Sequence, residues 1–129
     1  MAQDFHNLAV WERSVELTVC VYQITRSFPR EGMYGLTSQM RRASVSIASN
    51  IAEGRGRLNV PEFRQFLALA QGSLFELRTQ LEVARRLGLA RPEHLHKAQM
   101  LCEEVSKMLT SFIQVLRKSQ QGKRLRAEG

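Results

Sequence analysis

The sequence predicts an all-α fold, an antiparallel up-down-up-down bundle of four helices. Apolar residues recur at spacings of three and four along four long stretches. The joints between them are short and carry glycine or proline, so consecutive helices must fold back on one another. No alternating apolar–polar run suggests a strand, and no internal repeat is visible. With 129 residues, 43% of them hydrophobic and 24% charged, the chain has the make-up of one globular domain with a sizeable core.

The bundle is expected over residues 1–118, with helices at about 8–28, 36–53, 60–87 and 92–118, followed by a tail at 119–129. Asn7 suits the N-cap of the first helix, and Leu8, Trp11, Val15, Thr18 and Tyr22 give it an apolar stripe. Pro29 stops it, because proline disfavours helical geometry in the residue before it. Arg30 to Gly35 form a turn.

The second helix is apolar on two flanks. At 100° per residue, Leu36, Met40, Ala43, Ser44, Ile47 and Ile51 share one face. A smaller strip of Val45, Ala48 and Ala52 lies about a third of a turn away, beside Arg41. Only Ser38, Arg42, Ser46, Ser49 and Glu53 remain for solvent. Such a helix needs partners on two sides: its own bundle on one and a second subunit on the other. Gly54 is read as its left-handed C′ residue, with Arg55-Gly56-Arg57 as a basic exit loop.

Asn59 and Glu62 have capping-box spacing at the start of the third helix, and Pro61 is tolerated in its first turn. Its stripe is Phe63, Phe66, Leu67, Ala70, Leu74, Leu77, Leu81 and Ala84, and Gly88 ends it. Gly72, unfavourable in mid-helix by about 1 kcal/mol relative to alanine, suggests close approach of the second and third helices. The fourth helix opens at Pro92 and carries Leu95, Ala98, Leu101, Val105, Met108, Leu109, Phe112 and Leu116. Beyond Lys118 the sequence is polar, basic and without periodicity, so disorder is expected there.

The N-terminus lacks the basic and apolar regions of a secretory signal, and no apolar run approaches the roughly 18 residues of a membrane span. Cys20 and Cys102 are expected as reduced, partly buried thiols, which points to a cytoplasmic protein. The formal net charge of +7 is concentrated in two places. Arg41, Arg42, Arg55 and Arg57 face one acid, Glu53; Arg117, Lys118, Lys123, Arg124 and Arg126 face one, Glu128. These blocks hold the whole excess and read as footprints for a polyanion or an acidic partner.

Catalytic constellations are not expected. Glu93-x-x-His96 is one half of a di-iron bundle motif, without the second copy and the further glutamates such a site needs. Ser44, Ser46 and Ser49 have no histidine at a predictable distance, and Gly54-x-Gly56 follows a helix rather than a strand, unlike a phosphate-binding loop. Asn50 and Gln39 read as ties between helices or subunits. The expectation is a protein that is no enzyme and uses no metal or other cofactor.

The run GLTSQMRRASVSIASNIAEGRGR, the opening FHNLAVWERSVEL, the FP before the first turn and FLALAQGSLFEL in the third helix together resemble a bacterial family. It comprises four-helix-bundle proteins encoded by intervening sequences within 23S ribosomal RNA genes. The resemblance covers about Phe5 to Leu116, and the tail lies outside it. It implies a ring-like homopentamer without enzymatic activity. It also implies kinship with the accessory protein of diversity-generating retroelements, which works with a reverse transcriptase and binds nucleic acid through a basic surface. By that resemblance a reverse transcriptase-like partner is an expectation here too.

The function expected from both lines is non-enzymatic binding of nucleic acid, RNA before DNA, by an oligomer and without strong sequence preference. Arg41, Arg42, Arg55 and Arg57 are the phosphate contacts, with Lys123, Arg124 and Arg126 as a secondary clamp. Val45, Ala48 and Ala52, with Arg41, are the subunit interface. Trp11, Phe63 and Phe66 are expected in the core, leaving no aromatic platform for bases. The alternative is a protein–protein scaffold docking an acidic or polymerase-like partner.

Overall fold

The computed structural model describes residues 8–128, with side chains over 8–122. Four helices, α1 (Ala9–Thr25), α2 (Tyr34–Arg55), α3 (Val60–Leu87) and α4 (Pro92–Glu128), account for the regular structure, and the described residues contain no strand. Each helix packs against its neighbours in the cyclic order α1, α2, α3, α4. The contacts fix antiparallel directions. Thr18 and Thr25 of α1 meet Ser44 and Arg41 of α2, and Ser46 of α2 meets Ser73 of α3. Phe63, near the start of α3, meets Phe112 edge-on at 5.3 Å in the second half of α4, and Arg13 of α1 reaches Glu104 of α4 at 2.7 Å. This is an all-α, four-helix bundle.

Local chemistry sets the helix ends. The Asn59 side chain accepts a hydrogen bond from the Glu62 amide at 2.9 Å, satisfying one of the free N–H groups that open α3. Gly88, at φ 65°, takes the left-handed position that closes α3, and its N–H and that of Leu89 return to the last carbonyls. The first helix stops at Thr25, short of residue 28, in a turn that buries Phe28. Its N-cap position falls at Leu8, which makes no side-chain cap bond, and Asn7 lies outside the described residues.

The core is aliphatic: Leu17, Val21, Met40, Ile47, Ile51, Leu67, Leu74, Leu77, Leu81, Leu95, Val105 and Leu109 are fully buried. Burying each such side chain contributes roughly 1.5–3 kcal/mol. Cys20 and Cys102 are buried, unbridged thiols; burial pushes Cys102 up to about 12, so it stays protonated and inert. Among the described residues no helix is long and apolar enough to cross a membrane.

The structure departs from the sequence reading at four places. The inward stripe of α1 is Val10, Ser14, Leu17, Val21 and Ile24, while Trp11, Val15, Thr18 and Tyr22 form a second, outer stripe. Gly54 is a helical residue inside α2 without positive φ. A Cβ at Gly54 would stand 2.7 Å from Phe66 Cβ and 2.9 Å from Phe63 Cδ1, so this glycine permits the close approach of α2 and α3. Gly72, expected in that role, has nothing within 4 Å of where its Cβ would be. Finally, α4 runs past Lys118 to Glu128, where a disordered tail was expected. Apart from Ser119 and Gly122, residues 119–128 are good helix formers (Gln, Lys, Arg, Leu, Ala and Glu), and no proline interrupts them.

The two glycines should respond to alanine with opposite sign. Gly54→Ala forces the Phe63 and Phe66 backbone outward and should lose about 1–3 kcal/mol in chemical denaturation. Gly72→Ala removes only backbone freedom and should gain about 0.5–1 kcal/mol.

Candidate nucleic-acid interface

The four helices carry the predicted arginines to separate places. Arg41 and Arg55 share a face of α2 but stand about 20 Å apart at 1.5 Å rise per residue. Arg41 is half-buried against α1: its Nε donates to Thr25 Oγ1 at 2.9 Å, and its guanidinium lies 4.6 Å over the Tyr22 ring. Arg42, one residue on and 100° round the helix, is exposed and has no ion-pair partner among the described residues. Arg57 is paired with Glu53 at 2.9 Å and lies 4.7 Å over the Phe66 ring. Arg55 is half-buried, and its Nε is enclosed without an acceptor. Lys123, Arg124 and Arg126 fall on the last turns of α4, and their side chains lie outside the described residues.

Two clusters of cations result, one at each end of the bundle. At the end holding the α1–α2 turn stand Arg26, Arg30 and Arg42, all exposed, with Arg91 in the α3–α4 joint. At the opposite end stand Arg55 of α2, Arg57 in the α2–α3 joint, Arg64 of α3, and Arg117 and Lys118 of α4. Arg64 donates from Nη1 to Gln120, which ties α3 to the extended part of α4. Between the ends, Arg78 is exposed without an ion pair among the described residues, while three other arginines are neutralised. Arg13 is held by Glu16 and Glu104, while Arg85 and Arg86 converge on Glu82 and hold its carboxyl down at about 2 through their hydrogen bonds.

Arg26, Arg30 and Arg64 are not singled out by the sequence, whereas Arg117 belongs to its C-terminal basic block. The usable signal was helical spacing: Arg26 and Arg42 have no carboxylate three or four residues away, whereas Arg57, Arg85 and Arg86 do.

The expected subunit strip is open in the protomer: Val45 is 41% exposed, and Ala48 and Ala52 are half-buried. The outer stripe of α1 lies alongside it, with Tyr22 39% exposed. The small polar residues of α2 serve helix contacts. Ser46 Oγ and Ser73 Oγ are 2.8 Å apart, Ser44 Oγ donates to the Arg41 carbonyl, and Asn50 donates to Ser46. Phe63 is in the core; Trp11 and Phe66 are half-buried. Glu93, His94 and His96 are exposed, and among the described residues no three His, Cys, Asp or Glu side chains gather to hold a metal.

The family model described as 23S rRNA-intervening sequence protein matches residues 6–111. A crystal structure of a protein of unknown function from the S23 ribosomal protein family of Bacteroides thetaiotaomicron is similar in fold. It is 24% identical, with a TM-score of 0.76 over 81% of this chain and 98% of that one. Among curated proteins, none matches the chain.

The neighbouring arginines of α2 should separate by stability. Arg41→Ala removes a hydrogen bond and a ring contact and should cost about 1–2 kcal/mol in denaturant unfolding. Arg42→Ala should stay within about 0.5 kcal/mol of the parent.

Proposed function

Because the chain belongs to the 23S rRNA-intervening sequence protein family, we propose that it is a non-enzymatic, oligomeric protein that binds nucleic acid, RNA before DNA, through the phosphate backbone. The observation that supports this most is the pattern of unpaired cations. Arg26, Arg30, Arg42 and Arg91 at one end, and Arg55, Arg64, Arg117 and Lys118 at the other, form no ion pair among the described residues. The carboxylates of Glu16, Glu53, Glu82 and Glu104 are spent on other arginines. A polyanion that releases its counterions on such clusters gains affinity without reading sequence.

Assembly supports the same reading, since each weak contact then repeats around the oligomer and the contacts add. The open stripes of α1 and α2 form one apolar face. On the outer side of α3, Val83 and Leu87, one turn apart, form a smaller one, with Leu69 exposed about 20 Å away along the helix. Two unlike faces suit head-to-tail contact between copies, the arrangement that closes into a ring. The hydroxyls of Ser44 and Ser46 are engaged in helix contacts, which fits a binding rather than a catalytic role.

Salt titration of single-stranded RNA and of DNA tests the proposal. Log affinity should fall linearly with log salt, and Arg42→Gln and Arg117→Gln should each lower the slope by roughly one. Absence of binding to either polymer at low salt would contradict it and favour a scaffold that docks an acidic or polymerase-like protein on the same cations.

A further inference from the structure

The α1–α2 end of the bundle displays aromatic rings among its unpaired arginines. Tyr34, the first residue of α2, is 80% exposed. It lies seven residues before Arg41, two turns along the same face and about 10 Å away. There the Arg41 guanidinium lies 4.6 Å over Tyr22, itself 39% exposed. Exposed Arg26, Arg30 and Arg42 surround these planes, and between residues 22 and 42 the only carboxylate is Glu31.

A ring standing in water forgoes much of the stabilisation its large apolar surface offers, and the described residues leave Tyr34 largely uncovered. Alternating rings and cations match the needs of an unpaired strand, whose bases expose their faces and whose phosphates seek arginine. A duplex keeps its base faces stacked inside and gives Tyr34 nothing to meet. Along the axis of α2 the backbone positions of Tyr34 and Arg41 are about 10 Å apart, comparable with roughly three stacked steps of about 3.4 Å.

We propose that this end of the bundle binds single-stranded nucleotides, with one base stacked on Tyr34, another at the Tyr22–Arg41 pair, and the linking phosphates on Arg26, Arg30 and Arg42. The inference rests on the nucleic-acid reading above and specifies its substrate class as unpaired strands.

The test compares a fluorescein-labelled oligouridine with an RNA duplex of equal length, by anisotropy on the full chain. Tyr34→Ala should weaken oligouridine binding by about tenfold and leave the duplex unchanged, while Tyr34→Phe keeps wild-type affinity. The salt slope of Tyr34→Ala should equal that of the parent, because no phosphate contact is lost. Wild-type binding of oligouridine that Tyr34→Ala leaves intact would overturn this inference alone, as would an equal loss on the duplex. A smaller assembly mass for Tyr34→Ala with unchanged affinity would also overturn it and assign the ring to a subunit contact. No binding by the wild-type protein would overturn the proposed function as well.

Discussion

The seating of α2 between α1 and α3 governs the rest of the molecule. Small side chains make it possible. Gly54 lets the backbone of α2 approach Phe63 and Phe66, Ser46 reaches Ser73, and the Ser44 carbonyl accepts from Thr18 across the α1 interface. With the helices this close, Met40, Ile47 and Ile51 fill the centre. Val45, Ala48 and Ala52 are then rotated out, beside the outer stripe of α1. Two helices therefore leave their spare apolar strips in one groove, and only a further body can take that groove out of water.

Most of the architecture was legible because long amphipathic periods and capping residues are local signals. Asn59 and Gly88 act through a few neighbouring atoms, and the inward stripes of α3 and α4 each follow one continuous face. Periodicity alone could not orient α1, which has two apolar stripes of similar width; packing against α2 and α4 chose Val10, Leu17, Val21 and Ile24. Nor could it tell Gly54 from Gly72. A glycine required by close approach and one that merely tolerates solvent look the same until the opposing helix is in place.

The charge reading met the same limit. Counting residues located the positive excess but not which cations were free. Arg41, grouped with the phosphate contacts, is in part a structural residue that anchors α2 to Thr25 and Tyr22. Arg57 is tied to Glu53. Conversely, Arg26 and Arg30 count in the balance as charges cancelled by acids elsewhere, yet neither makes an ion pair among the described residues, and three of those acids, Glu16, Glu82 and Glu104, pair with other arginines. Tyr22 was read as an inward residue, and its exposure together with that of Tyr34 supplies the aromatic surface the sequence had not suggested.

The groove between α1 and α2 is the feature on which assembly, and the repetition of weak contacts, depends. Light scattering on an eluting column measures its consequence directly. The wild-type protein should run as a multiple of its 14.8 kDa chain. Val45→Glu, which places a charge in the groove but outside the protomer's core, should run as a single chain with its helical circular dichroism intact. A wild-type species of single-chain mass at micromolar concentration would contradict the account.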